Sequence, residues 1–136
     1  MGRILAIDYG NKRTGIAVTD PLQIIATALD TLPTHLLIDY IRSYVAKEDV
    51  EAIVLGWPTN LDNSETDSTA HVRGFHRKLQ KEFADKQIHL HDERFTSKMA
   101  LDAMITGGMT KKNRRKKENV DKVSAVIILQ SFLESK

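Results

Sequence analysis

Three acids stand where strands end and a helix begins. Asp8 closes the apolar run Ile4 to Ile7, Glu93 follows Asp92 at the end of QIHLHD, and Asp121 opens the last and most apolar helical stretch. Each alone has an ordinary reading: Asp8 as a turn residue, Asp121 as an acid favoured by the helix macrodipole. Brought together they mean something else. Clustered carboxylates repel one another and burial raises their pKa, so a divalent cation is what stabilises such a group. All-oxygen ligands suit Mg2+ or Mn2+. Two ions about 4 Å apart activate water and stabilise the leaving oxygen of an in-line phosphodiester displacement, which is nuclease chemistry.

Basic and polar residues flank these acids. Lys12 and Arg13 follow the turn Asp8-Tyr9-Gly10, and Arg94 follows Glu93. Beside three acids they are expected to contact phosphates; in isolation they would read as solvated surface. Thr110 to Lys117 holds six bases among eight residues, Lys111, Lys112, Arg114, Arg115, Lys116 and Lys117. Since the net charge is only +2, the rest of the chain is net acidic and one segment carries the positive field. The loop from Gly56 to Ser64, including Asn60, precedes a helix and can hold a phosphate, although taken alone it reads better as a simply well-capped helix. Thr96 reads both as a cap and as a phosphate contact. His89-x-His91 lacks a third nitrogen ligand, so structural roles are favoured over zinc, and a lone loop aromatic such as Trp57 reads as packing.

The elements that must position these groups follow from periodicity. Arg3 to Thr31 reads as three strands, RILAID, TGIAVTD and roughly IIATALDTL, in an antiparallel meander. Gly15 lies inside the second, where a missing side chain marks either a bulge or a close approach. Thr34 is expected to cap a helix with Leu37, Ile38, Ile41, Tyr44 and Val45 on one face. The run from Glu51 to Gly56 reads as a buried parallel strand. A helix over about 65–85 follows, with Val72, Phe75, Leu79 and Phe83 inward and Arg73 off that face as a candidate nucleic-acid contact. The strand QIHLHD, a helix after Thr96 stopped by Gly107-Gly108, and a final helix over about 120–134 complete the order βββαβαβαα. Asp121, Ala125, Ile128 and Phe132 share one face of that final helix. Strands one, four and five are expected to be parallel neighbours with Asp8 and Glu93 at their carboxyl ends, where ligands sit in such sheets. The final helix would return Asp121 to that edge.

Composition bounds the class. The 136 residues, 41% apolar and 28% charged, suit one globular domain spanning 1–136. No apolar run approaches the roughly 20 residues of a membrane helix, and no signal peptide is visible, so a cytoplasmic location without membrane partners is expected. There is no cysteine, which excludes disulfides, thiolate zinc sites and a cysteine nucleophile.

The residues also carry a resemblance. Ala6-Ile-Asp8-Tyr-Gly10-x-Lys12-Arg13-x-Gly15, Gly56-x-Pro58-x-Asn60 with Ser64-Glu65, Ala70-x-x-Arg73-x-Phe75, Asp92-Glu93-Arg94-x-Thr96-Ser97 and Asp121-x-x-Ser-Ala125-x-x-Ile128-Leu129 together resemble the YqgF family of Holliday-junction-resolvase-like proteins, over essentially the whole chain. Asn63 departs from the pattern, where glycine is favoured; asparagine tolerates positive φ best among other residues. The resemblance implies an RNase H-like α/β domain, a mixed five-stranded sheet with helices on both faces. It implies a nuclease maturing the 5' end of pre-16S ribosomal RNA, with Asp8, Glu93 and Asp121 as metal ligands and Asp92 in support. The partners implied are pre-rRNA and ribosomal particles, engaged by a monomer or weak homodimer. Cleavage of four-way DNA, which would need a dimer, and RNA binding without catalysis remain as alternatives. Asp8-x-Gly10 also resembles the phosphate loop of sugar kinases and actin-like ATPases, but those place nucleotide between two such domains and this length holds one.

Overall fold

A computed structural model describes residues 2–10, 12–57, 69–92 and 117–135. The chain runs β1 (Arg3–Asp8), β2 (Arg13–Thr19), β3 (Ala26–Pro33), a 3-10 turn (Thr34–Leu36), α1 (Leu37–Lys47), β4 (Val50–Trp57), α2 (Thr69–Glu82), β5 (Gln87–Asp92) and α3 (Lys117–Glu134). The five strands form one sheet in the order β3-β2-β1-β4-β5. The first three make the expected antiparallel meander, and β1, β4 and β5 are parallel neighbours.

Strand alternation divides the core in two. Leu5 and Ile7 of β1, with Ile16, Ile53 and Leu55, face α1 and α2 and pack on Leu37, Ile41, Val72, Phe75 and Leu79. Ile4 and Ala6, with Ala17, Ala52 and Val54, face α3 and pack on Ala125, Ile128 and Leu129. Helices thus cover both faces, as expected. The α3 side is built from alanines: Ala6, Ala17 and Ala125 are fully buried, and so small a layer lets helix and sheet approach closely. No helix among the described residues is long and apolar enough to cross a membrane.

The bounds of β2 and β4 shift by a residue, and three larger differences from expectation have local reasons. Strand β3 begins at Ala26, two residues late, because the Asp20 carboxylate accepts the amides of Ile24 (2.9 Å) and Ile25 (2.8 Å) and holds them in the turn. Those bonds also keep the Asp20 carboxyl below its ordinary pKa. Thr34 does not cap α1. Pro33 still belongs to β3, a 3-10 turn intervenes without a side-chain cap, and the Thr34 hydroxyl is used elsewhere. Finally, α3 starts three residues early, taking in Lys117. The expected helix after Thr96 lies outside the described residues.

Candidate metal and nucleic-acid site

Asp8 is the last residue of β1 and half-buried. By alternation with Ile4 and Ala6 it lies on the face that α3 covers. Its partner across the antiparallel pair is Gly15, which adds no side chain beside the carboxylate. The register shift in β2 falls one residue further on, between Ile16 and Ala17. Arg13 shares the parity of Gly15 and Ala17, so a cation accompanies Asp8 on the same face, while Lys12 is exposed in the connecting turn.

Three hydroxyl and backbone groups fix that turn. The Gly10 amide donates to Thr14 Oγ1 (3.5 Å), Thr14 and Thr34 share a hydrogen bond between their Oγ1 atoms (2.9 Å), and the Thr34 hydroxyl donates to the Gly10 carbonyl (2.5 Å). The Thr34 amide also donates to the Lys12 carbonyl (3.0 Å). A Cβ at Gly10 would overlap the Arg13 carbonyl oxygen, so the turn requires glycine. Thr14 and Thr34 are the positioning residues that sequence reasoning missed. The available signal was Thr14, a polar residue at an inward position of β2, fully buried in the fold.

Register levels the other strand ends with Asp8. Ile7 pairs with Leu55, Gly56 with His91, and Trp57 with Asp92, so β4 and β5 end at the same edge of the sheet as β1. His89 and His91 lie on the α3 face. His91 Nε2 is 2.8 Å from Ser131 Oγ, and both rings contact Phe132. These contacts give the histidines the structural roles expected. Trp57 packs edge-on to His76 at 6.1 Å, as a packing residue should.

The direction of α3 follows from the same contacts. Ser135 lines a cavity with Ile4, Glu51 and Gln87, at the amino ends of the parallel strands, whereas Ser131 meets His91 near their carboxyl ends. The helix therefore runs opposite to β1, β4 and β5, and its first turns, including position 121, head for the Asp8 edge. Arg73 lies on α2, over the other sheet face. Lys117 falls in the first turn of α3. Glu93, Arg94, Asn60, Ser64, Thr96, Lys111, Lys112, Arg114, Arg115 and Lys116 lie outside the described residues. Among the described residues no group of three metal-ligating side chains occurs. What is described of the donor set, a carboxylate at a strand end paired with Gly15, fits a hard divalent cation.

A mixed five-stranded sheet with helices on both faces and an acid at the carboxyl end of its central strand defines the RNase H-like class. Its likeness in fold to Thermus thermophilus RuvC in complex with a Holliday junction substrate has a TM-score of 0.59 at 16% identity, covering 99% of this chain and 95% of that one. The chain belongs to the RuvX family, described as Holliday junction resolvase, which matches residues 2–135. Relatives named "Putative pre-16S rRNA nuclease" include those of Amoebophilus asiaticus, 53% identical over 99% of this chain and 96% of its own, and of Phocaeicola vulgatus, 54% identical over 100% and 98%. That of Porphyromonas gingivalis is 53% identical over 99% and 98%.

Proposed function

We propose that this chain is a metal-dependent nuclease that matures the 5' end of pre-16S ribosomal RNA, with Asp8, Glu93 and Asp121 as its metal ligands. Full-length identity of about half to relatives bearing that name supports the substrate. The observation that carries the site is the antiparallel run of two surfaces. Along β1, Ile4, Ala6 and Asp8 step toward the carboxyl edge; along α3, Leu129, Ala125 and position 121 step the same way. Asp8 lies about 6.6 Å beyond Ala6 and position 121 about 6 Å before Ala125, so both overrun the alanine contact by the same amount. Glu93, the residue that follows β5 in sequence, is proposed as the third ligand. Asp92, the last residue of β5, is assigned a supporting role.

When bound, Mg2+ or Mn2+ supplies Lewis acidity toward the scissile phosphate and acidifies the attacking water. The chain's own residues do the rest. Asp8, Glu93 and Asp121 hold the cations. Arg13, on the Asp8 face, orients the phosphate between its neighbours, and the Thr14–Thr34 pair keeps the turn carrying Lys12 and Arg13 in place. Lys111, Lys112, Arg114, Arg115, Lys116 and Lys117 draw the RNA backbone in from further away. Arg94, Thr96, Asn60 and Ser64 complete the phosphate contacts.

The test is cleavage of a transcript carrying the 5' leader of 16S RNA, with the new end mapped. Cleavage at the leader boundary that stops on adding EDTA is expected. Paired nicks in four-way DNA, with the RNA left intact, would favour junction resolution, and RNA binding without cleavage would favour an assembly factor. Replacing basic residues in 111–117 should lower the slope of log affinity against log salt for single-stranded RNA by about 0.7 per lost phosphate contact. An unchanged slope removes the segment from the interface.

A further inference from the structure

At the edge where Asp8 faces α3, the next residue turns to the opposite face and opens a cleft of about 560 Å3. Tyr9, His35, His71, Gly74, Phe75 and Lys78 line it. We propose that this cleft is a nucleotide subsite, which takes the base and phosphate adjoining the scissile bond of a bound RNA strand. The proposal rests on the nuclease reading above and adds a second contact to it.

Its position comes from the chain itself. Asp8 and Tyr9 are successive residues at the end of β1 and alternate across the sheet. A strand crossing the carboxyl edge to present a phosphate at Asp8 passes next over Tyr9. The size falls within the 300–1,000 Å3 typical of small-ligand sites.

Its chemistry is that of a nucleotide site. Tyr9 stacks on the buried Phe75, with ring centroids 4.7 Å apart and planes 27° apart, which holds the half-buried Tyr9 ring as the aromatic surface of the cleft. Base stacking on such a surface contributes about 1–3 kcal/mol per base and tolerates any sequence. Lys78 and the imidazoles of His35 and His71 supply donors for a phosphate and a base edge, and no carboxylate among the described residues lines the cleft. The acids of the two flanking helices are engaged elsewhere. Arg42 donates to both Asp39 (2.9 Å) and Glu82 (2.8 Å), and Arg42 beside Glu82 holds its carboxyl below the ordinary value. Among the described residues, an anion entering between α1 and α2 therefore meets positive and neutral groups.

Gly74 supplies an independent sign. It lies in the middle of α2, where glycine costs roughly 0.5–1 kcal/mol relative to alanine. Packing does not demand it, since no heavy atom of the described residues lies within 4 Å of a Cβ built there. What glycine preserves at that position is the volume of the cleft.

The experiment fills the cleft. Gly74→Phe should weaken binding of a short single-stranded RNA, measured by fluorescence anisotropy, about tenfold or more, as loss of one stacked base requires. Gln80→Phe, an exposed position on the same helix that lies outside the cleft, should bind as wild type. Thermal melting establishes that each variant is folded. Should Gly74→Phe fail to fold, photo-crosslinking of 4-thiouridine RNA to the wild-type protein decides: crosslinks at Tyr9 or within residues 71–78 support the subsite, and crosslinks confined to other residues overturn it. Wild-type affinity in folded Gly74→Phe also overturns it, and leaves the nuclease reading standing if wild type still cleaves RNA and Asp8→Asn does not. Wild-type protein that neither binds nor cleaves RNA overturns both.

Discussion

Asp8→Asn is expected to lower RNA cleavage at least about a thousandfold while the protein stays folded. Lewis-acid stabilisation of the reacting phosphate is worth several kcal/mol, and each ~1.4 kcal/mol is a factor of ten in rate. Asparagine keeps the shape of the side chain at the end of β1, so the pairing of β1 with β2 and β4 is untouched. Without bound metal, removing one of several like charges also relieves repulsion, and the melting temperature should hold or rise. Single-turnover cleavage and thermal melting on the same preparation check both halves. Undiminished metal-dependent cleavage would remove Asp8 from the site.

Ala125→Leu is expected to damage stability and activity together. Ala125 is fully buried against Ala6 and Ala17, in a layer that has no room for three more carbons. Overpacking of this kind costs about 1–3 kcal/mol, read as a lower denaturation midpoint with an unchanged slope. Because α3 would be lifted from the sheet one turn from position 121, cleavage should fall in the fraction of protein that remains folded. Ile128→Val, which removes a methylene three positions further from the edge on the same face of the core, should cost only about 0.5–1.5 kcal/mol and spare cleavage. Equal losses of activity in the two variants would count against the placement of Asp121.

Much of this was legible in the residues. The bounds of β1 and β5 match the apolar run from Arg3 and the alternation of QIHLHD, because each strand is decided by its own side chains. The parallel order of β1, β4 and β5 followed from the continuous apolar run of β4, which only a doubly covered strand needs. What escaped was decided by groups distant in sequence. Thr34 reads as a helix cap, yet its hydroxyl bonds Gly10, 24 residues earlier. Ile24 and Ile25 read as strand, yet Asp20 takes their amides. Alanine carries little periodic signal, so the close contact of Ala6, Ala17 and Ala125, which aims α3 at the Asp8 edge, could not be read before the fold was in hand. Tyr9 and Phe75 likewise read as a turn residue and a core residue; only the fold stacks them. At the candidate site, the types and order of the acids were legible, and the fold added the common face of Asp8 and α3 and the pairing of Asp8 with Gly15.

The convergence of Asp8, Glu93 and Asp121 is tested most directly by diffraction from crystals of the protein soaked in Mn2+ with a non-cleavable single-stranded RNA. Anomalous peaks within coordination distance of all three carboxylates, two of them about 4 Å apart, are the predicted result. Bound RNA with an assembled triad and no anomalous peak among those carboxylates would contradict it.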